Sequence, residues 1–167
     1  MRGMTGGKRR DPPLDEDNAA FIQGGVSVIV ATRNGECVAD VVRGCGCRVS
    51  RDRRRVTVLV EPSRAGALLE DIATNGMIAV VCSQPSTHRT IQLKGSDARI
   101  VRVTAADRAV AARHLRDWSE DLCRIGYTQE FASAVRGAAP RLAAIAFTPS
   151  AAFQQTPGPG AGKPLAP

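Results

Sequence analysis

Ser63 and Arg64 are the residues whose type and position point most directly to ligand chemistry. Apolar side chains recur at helical spacing behind them, up to a stop at Gly76, and Ser63 is predicted to cap this helix. A helix N-terminus offers backbone N–H groups and a positive dipole end to an anion, and the hydroxyl and guanidinium add donors suited to phosphate. The alternative is that Ser63 only caps the helix and that Arg64 is only solvated.

Cysteine and histidine residues offer a weaker case for chemistry. Cys45 and Cys47 are predicted to share one face of an extended strand, but zinc requires about four ligands and no second cluster follows. We therefore predict no metal site, and a redox dithiol stays open. His88 and His114 occur singly, which is typical of structural histidines. Because no hydrolase, zinc-protease or Walker motif occurs, we predict no catalytic side chain and assign any chemistry to a bound cofactor.

Strands supply most of the frame that would position these residues. The β-branched run at 26–32 precedes Asn34-Gly35, a strong hairpin signal, and Gly44 and Gly46 inside the next strand predict a bulge or a close backbone approach. The run Val-Thr-Val-Leu-Val at 56–60 is typical of a strand buried on both faces. Strands are predicted at residues 26–32, 37–43 with a continuation at 47–49, 56–60, 77–82, 89–93, 98–103 and 142–147.

Helices occupy the connections of this pattern. Thr104 and Asp107 match a capping box at the start of the longest helix. Its buried face is predicted to carry Ala111, Leu115, Trp118 and Leu122. Helices are predicted at residues 14–23, 63–75, 104–122 and 128–136. The order of elements lacks the β-α-β alternation of a doubly wound fold, so we predict a small antiparallel barrel with peripheral helices.

Length and composition define one domain without a membrane span. The 167 residues, 43% hydrophobic and 23% charged, are ordinary for a globular protein with a single core. No run approaches the roughly 20 apolar residues that span a bilayer, and five scattered cysteines fit reduced thiols, so a cytoplasmic location is expected. We assign residues 1–13 to a flexible basic N-terminal arm, 14–156 to the folded domain and 157–167 to a Pro/Gly-rich C-terminal tail.

The net charge of +7 raises the question of nucleic acid as a partner. The distribution weakens that case, because basic residues gather at 8–10 in the N-terminal arm and at 51–55 around a predicted turn. One Trp, one Tyr and four Phe provide little material for stacking on bases. A basic nucleic-acid-binding barrel is the weakest of the alternatives, and no nucleic acid partner is expected.

Two motifs in order resemble the core pattern of the pyridoxamine 5'-phosphate oxidase-like family. Pro-Ser-Arg-Ala at 62–65 opens a helix, and Thr-His-Arg-Thr-Ile-Gln-Leu-Lys-Gly at 87–95 follows on a later strand. The spacing matches the family pattern without a gap, and the resemblance covers residues 21–103 with a compatible last strand at 142–147. It implies a mainly β (α+β) fold, a six- to seven-stranded antiparallel split β-barrel with peripheral helices, in which residues 14–156 form a flavin-binding domain.

The resemblance also implies where FMN would bind. In the family, a Ser-Arg-Lys-like sequence opens a helix beside the flavin phosphate, and it aligns with the Ser-Arg pair of this chain. The family's second strand runs along the isoalloxazine, and the aligned strand here offers two backbone positions and an arginine. The later strand offers a hydroxyl and an amide that either hydrogen-bond the ring edge or only line the barrel. The residues at these positions are Val41, Val42, Arg43, Ser63, Arg64, Thr90 and Gln92.

Two departures from the family pattern bear on function. Ala65 stands where the family has a second phosphate-binding base, a loss that Arg43 or Arg48 would have to compensate. No Trp and Arg pair occurs in the C-terminal strand, so a true pyridoxamine 5'-phosphate oxidase is not expected. The resemblance implies an FMN-dependent oxidoreductase of unknown substrate, working as a homodimer with the flavin at the subunit interface. The alternative is a non-catalytic split barrel that binds flavin, haem or a deazaflavin.

Overall fold

Among the described residues, eight antiparallel strands form the frame of the protein, compared with the six to seven that the sequence predicts. The computed structural model describes residues 14–136 and 141–165, so the predicted arm at 1–13 and the last two residues of the tail lie outside the described residues. The strands are β1 (Ser27–Arg33), β2 (Ala39–Val49), β3 (Val56–Val60), β4 (Ile78–Ser83), β5 (Thr90–Gly95), β6 (Arg99–Val101), β7 (Ala143–Phe147) and β8 (Ala151–Gln154). The helices are α1 (Glu16–Ile22), α2 (Gly66–Asn75), α3 (Ala105–Arg124) and α4 (Gln129–Arg136), and a 3-10 helix (Pro62–Arg64) precedes α2.

Strand β2 divides the sheet, whose order is β6-β7-β3-β2-β1-β4-β5-β8, into two portions. Its first half pairs with β1 as far as Arg43, and its second half pairs with β3 from Gly44 onward. A register shift between Gly44 and Cys47 marks the β-bulge that the glycines predict. Gly46 has a φ of +119°, and a Cβ there would lie 3.0 Å from the His114 Cβ. Glycine is therefore required for α3 to approach β2 this closely.

Alternate residues of the strands fill the barrel interior. Val30, Val80 and Leu93 are fully buried, whereas their neighbours along the same strands are half-buried or exposed. This period of two is expected of strands that are covered on one face. All five residues of β3 are buried, as predicted, because its inner face joins the core and Leu59 on its other face packs with Val110 of α3.

Helix α3 begins with the predicted capping box but buries a slightly different face. The Asp107 carboxylate accepts the Thr104 N–H at 2.8 Å, and the Thr104 hydroxyl accepts the Asp107 N–H at 3.2 Å. Leu115 is 39% exposed, so its predicted burial is wrong, and His114 is buried beside it. The His114 Nε2 lies 2.7 Å from the Val26 carbonyl oxygen. A polar residue is tolerated at this interior position because the Val26 carbonyl supplies a hydrogen-bond partner.

The two helices α1 and α2 add side chains to the barrel core. Asp15 caps α1 by accepting the Asn18 N–H at 2.7 Å. Leu68 and Ile72 of α2 are buried, and the helix ends at the predicted stop, Gly76, whose φ is +67°. Within the described part of the chain, no helix combines the length and apolarity needed to cross a membrane.

The hairpin between β1 and β2 is longer than the two-residue turn that Asn-Gly sequences favour. Its loop occupies residues 34–38, and Cys37 rather than Gly35 has a positive φ, at 63°. The Asn34 side-chain oxygen accepts the Val38 N–H at 3.0 Å. Asn34 therefore stabilises the loop through its side chain.

Strand β8 has no counterpart in the sequence prediction, because it is short and two of its four residues are alanines with low strand propensity. Residues 158–165, which fall in the predicted Pro/Gly-rich tail, turn back along it. The Leu165 N–H donates to the Ala152 carbonyl at 2.9 Å, and the Gln154 N–H donates to the Lys163 carbonyl at 2.9 Å. Leu165 also packs against the core. This segment therefore covers the outer edge of β8.

Candidate functional site

One surface of the larger portion of the sheet points away from the core, and we call it the open face. It is formed by β1, the first half of β2, β4, β5 and β8, whose registers align their outward side chains in rows. Among the described residues, no helix makes extensive contact with β4, β5 or β8. The residues of the open face are Ser27, Ile29, Ala31, Val41, Arg43, Ala79, Val81, Ser83, Thr90, Gln92, Lys94, Ala151 and Phe153.

Four of the seven predicted binding residues lie on the open face. Val41 and Arg43 lie on β2, and Thr90 and Gln92 lie on β5. Strands β1 and β4 separate these pairs, which corresponds to roughly 14 Å at the usual strand spacing. Val42 points the other way and packs against the core, so only its backbone is available. The first half of β2 pairs with β1 alone and has no other strand neighbour among the described residues.

Arg43 is anchored at one end of the open face. Its guanidinium Nη1 donates to the Ser27 Oγ at 2.8 Å, and its Cζ lies 5.7 Å from the centroid of the Trp118 ring. Trp118 is buried, as its predicted core role requires. The hydrogen bond and the cation–π contact orient the arginine, while its exposure leaves it accessible to an anion.

Hydroxyl and amide groups continue across the open face. Ser27 lies opposite Ser83, whose hydroxyl oxygen is 2.8 Å from the Thr90 Oγ1. The Gln92 Oε1 accepts a hydrogen bond from the Gln155 Nε2 at 3.3 Å, so the segment after β8 reaches the same surface. These groups both donate and accept, as the polar edge of a heterocyclic ring requires.

Small side chains open a trough of about 410 Å³ beside these groups. Ala31, Ala79 and Ala151 lie on its floor, and Arg33 and Lys94 border it. No sequence motif marks the trough, because the alanines belong to three strands that only the register brings together. An apolar floor with a cationic border suits a flat apolar ring that carries a negative charge.

The start of α2 differs from the prediction, since Ser63 does not cap the helix. Ser63 and Arg64 lie in the 3-10 helix, and the N-cap of α2 is Ala65, which has no side-chain cap to offer. Glu61 caps the 3-10 helix, and its carboxylate accepts both the Ser63 N–H, at 3.2 Å, and the Ser63 hydroxyl. These hydrogen bonds hold the pKa of Glu61 below its ordinary value. A negative charge therefore lies beside the predicted phosphate position.

The bulge in β2 separates Cys45 from Cys47, so the prediction that they share one face is wrong. Cys45 packs with Leu59 beneath α3, whereas Cys47 lies in the barrel core and its thiol donates to the Ile22 carbonyl at 2.7 Å. A hydrogen bond with Cys47, together with burial, raises the pKa of the Cys82 thiol. Burial and the raised pKa disfavour thiolate chemistry at Cys82. Among the described residues, no three His, Cys, Asp or Glu side chains form a metal-binding group.

The chain matches no protein-family model and no curated protein by sequence, whereas several solved structures share its fold. HupZ of Group A Streptococcus has a TM-score of 0.55 at 15% identity, over 89% of this chain and 99% of its own. A candidate pyridoxamine 5'-phosphate oxidase of Lactobacillus delbrueckii has a TM-score of 0.51 at 12% identity, over 84% and 93% of the two chains. An F420 reductase has a TM-score of 0.52 at 12% identity, over 83% and 98%.

These similarities define the class of fold as the mainly β split barrel of pyridoxamine 5'-phosphate oxidase-like proteins. The resemblance carried by residues 62–65 and 87–95 is thus confirmed at the level of fold, and so is the predicted antiparallel split barrel with peripheral helices. One fold hosts many activities, so ligand and reaction must be argued from the residues of the open face.

Proposed function

We propose that this protein binds FMN on the open face and acts as a flavin-dependent oxidoreductase, with two copies of the chain facing each other across the cofactor. The observation that carries the proposal is the open face itself. Its apolar and amide side chains occupy a sheet surface that no helix among the described residues extensively covers over β4, β5 and β8. An apolar sheet surface of this kind is normally covered by a ligand or a partner.

The ring system of a flavin fits the strip between β2 and β5. Ala31 and Ala79 in the middle of the strip have small side chains, so a flat ring can lie close to the backbones of β1 and β4. Val41 borders the strip on one side, next to the edge of β2 that lacks a second strand neighbour among the described residues. Thr90 and Gln92 border it on the other side and are proposed to hydrogen-bond the polar edge of the ring.

The residues near the 3-10 helix are only partly suited to binding the phosphate of FMN. Arg43 and Arg64 are exposed and are proposed to neutralise the phosphate, with Val42 contributing backbone groups and Ser63 its position in the 3-10 helix. Glu61 opposes them with a carboxylate whose pKa is below its ordinary value, and Ala65 supplies no base. A phosphate site with a second base and no acid would favour FMN over riboflavin strongly. Because Glu61 is present here and the second base is absent, we expect a weaker preference for FMN.

Bound flavin supplies hydride or electron transfer, and the residues of this chain supply its position and surroundings. The open face covers one side of the ring with apolar side chains, and the second copy is proposed to exclude water from the other side. Arg43 is held by Ser27 and Trp118 before any ligand arrives, which reduces the ordering that binding requires.

A non-catalytic binder of flavin, haem or a deazaflavin is the second candidate. The residues that define the open face include no acid, histidine or cysteine that could transfer a proton to a substrate. Oxidation of a reduced nicotinamide nucleotide by the loaded protein, with an electron acceptor present, would support the oxidoreductase. A bound chromophore that such donors leave unchanged would support the binder.

A visible absorption spectrum of the purified protein and a fluorescence-quenching titration with FMN test the proposal. Ala79→Leu fills the middle of the strip and should weaken FMN binding by about tenfold or more, since overpacking costs about 1–3 kcal/mol. Ala73→Leu, at an exposed position of α2, is the matched control and should bind FMN like the wild type. Equal affinities in the two variants, with both shown to be folded, would place the ring elsewhere. A wild-type protein that binds no flavin would reject the proposal.

A further inference from the structure

A second cavity lies where the 3-10 helix, the start of α3 and the start of β7 meet. Its volume is about 390 Å³, and it is lined by Pro62, Ser63, Val103, Arg108, Arg141 and Leu142. None of these residues belongs to the open face. We call it the arginine pocket, because two arginines from separate elements reach it.

Among the described residues, the two arginines share the pocket without an acidic partner. Across residues 14–136 and 141–165, neither the Arg108 nor the Arg141 guanidinium makes a hydrogen bond or an ion pair. The nearest acids in the sequence are already engaged. Asp107 accepts a hydrogen bond from the Arg48 Nε at 2.6 Å, and Glu61 accepts those of Ser63.

Two guanidinium groups on one cavity repel each other, and an anion between them would remove that cost. Arginine binds phosphate through two parallel N–H···O bonds, so a pair of arginines suits the several oxygens of a phosphate group. Arg108 lies in the first turn of α3, where the positive end of the helix dipole acts in the same direction. Asp107 is neutralised by Arg48, whereas the Glu61 carboxylate keeps its charge beside Ser63. Two guanidinium groups therefore face one ionised carboxylate, and the net field in the pocket favours an anion.

Apart from Ser63, the rest of the lining is apolar, and this limits the class of ligand that the pocket can bind. Val103 and Leu142 pack on the cluster that includes Leu59 and Val110, so this wall is held firmly by the fold. Pro62 supplies a further apolar surface. A cationic end and an apolar wall together match a molecule with a phosphate group on an apolar body.

We propose that the arginine pocket binds the phosphate group of a small phosphomonoester, with Arg108 and Arg141 as its ligands. The proposed ligands belong to none of the strands of the open face, but the pocket shares Ser63 with the phosphate end of the proposed flavin site. The phosphate has two possible sources, the flavin itself or a second small molecule, and titrations with matched ligands distinguish them.

The test is calorimetric titration of the full chain with phenyl phosphate and with inorganic phosphate, at constant ionic strength in chloride. Phenyl phosphate should bind more tightly than inorganic phosphate, because its ring contacts Val103 and Leu142. Arg108→Ala and Arg141→Ala should each weaken both by about tenfold or more, the range for hydrogen bonds to charged groups. The double variant should bind neither. The control Arg55→Ala/Arg113→Ala removes the same charge from exposed positions and should bind both as the wild type does.

A parallel titration with FMN and riboflavin identifies the source of the phosphate. If the arginine pocket holds the flavin phosphate, the preference for FMN disappears in Arg108→Ala/Arg141→Ala and persists in the control. If that preference is unchanged while phenyl phosphate binding is lost, the pocket serves a second phosphomonoester. Equal losses of phenyl phosphate binding in the double variant and the control would overturn the proposal, because they would report only surface charge. Absence of wild-type binding at millimolar phenyl phosphate would overturn it as well.

Discussion

The Glu61 carboxylate lies at the start of the 3-10 helix, where it accepts hydrogen bonds from the backbone and the hydroxyl of Ser63. Its lowered pKa keeps it ionised at neutral pH, so a phosphate beside Ser63 would meet a like charge. The Ser63 hydroxyl is also occupied as a donor. An acid followed by Pro62 at the first helical position is itself a capping pattern, and this is the signal in the sequence that identifies the arrangement.

Replacing Glu61 with Gln should raise the affinity for FMN by a few-fold and leave that for riboflavin unchanged. The amide keeps an acceptor for the Ser63 N–H but removes the charge that opposes the phosphate. Arg64→Ala should act in the opposite direction. Fluorescence-quenching titrations with both flavins measure the ratio of the FMN affinity to the riboflavin affinity. Glu70→Gln, on the exposed side of α2, is the control. An unchanged ratio in Glu61→Gln would mean that the phosphate does not bind near Ser63.

The residues of the candidate site could be predicted from the sequence only where a local motif marks them. Thr90 and Gln92 lie within a motif that resembles a known pattern, Arg43 lies on a strand that aligns with the same pattern, and the structure places all three on one face. Ala31 and Ala79 carry no such signal, because an alanine becomes part of a trough only through its cross-strand neighbours. Strand register depends on residues that are distant in sequence, so it cannot be predicted from a short stretch of the chain.

At the scale of elements, periodic patterns predicted the strands and helices well, and the differences have local physical causes. The seven predicted strands have the alternation or β-branched content that the sheet requires, whereas β8 is four residues long and rich in alanine. The buried face of α3 differs from the predicted one because His114 is buried, with its Nε2 hydrogen-bonded to the Val26 carbonyl. The bulge at Gly46 inserts a residue into β2, which reverses the side chains that follow and separates Cys45 from Cys47.

The capping box of α3 should make stability depend on pH through Asp107. Burial alone would raise the pKa of Asp107, but hydrogen bonds from Arg48 and Thr104 outweigh it, so the pKa is lowered. A lowered pKa means that the contribution to stability is present above the ordinary value of about 3.9 and is lost as the pH falls through the folded value. Asp107→Asn should therefore cost about 1–2 kcal/mol at neutral pH and almost nothing near the acid limit.

Urea denaturation of the wild type and Asp107→Asn, from neutral pH down to about pH 3, measures this difference. Asp117→Asn is the control, since Asp117 lies on the same helix, is only half-buried, and pairs with an exposed Arg116. A stability difference between the wild type and Asp107→Asn that does not change with pH would show that the carboxylate charge has no role in the cap.

At the scale of the whole molecule, the C-terminal segment completes the sheet that carries the open face. Deleting residues 158–167 removes hydrogen bonds to β8 and the contact of Leu165 with the core. We expect a loss of about 2–4 kcal/mol and a fall of about 5–15 °C in the melting temperature. Differential scanning calorimetry measures the change, and Leu165→Ala should reproduce part of it. An unaltered melting temperature would instead match the unstructured tail that composition alone suggests.

We expect two chains to assemble, because apolar residues of the open face are exposed in the single chain. Val41 is 56% exposed in the single chain, and the half-buried Ile29, Val81 and Phe153 share its surface. A twofold arrangement would cover these side chains and build two equivalent flavin sites, each from both chains. Sedimentation equilibrium at micromolar protein should therefore give roughly twice the chain mass of 17.6 kDa.

Val41→Glu should convert the dimer to a monomer, because a carboxylate buried in an apolar interface loses its hydration without gaining a partner. The fold should survive, since the same carboxylate is hydrated in the single chain. Val38→Glu, at a position that is 60% exposed in the loop between β1 and β2, is the matched control and should remain dimeric. FMN affinity should fall together with dimerisation, because half of each site is then missing. A wild-type monomer that binds FMN at full occupancy would contradict the shared site and leave one chain sufficient for the cofactor.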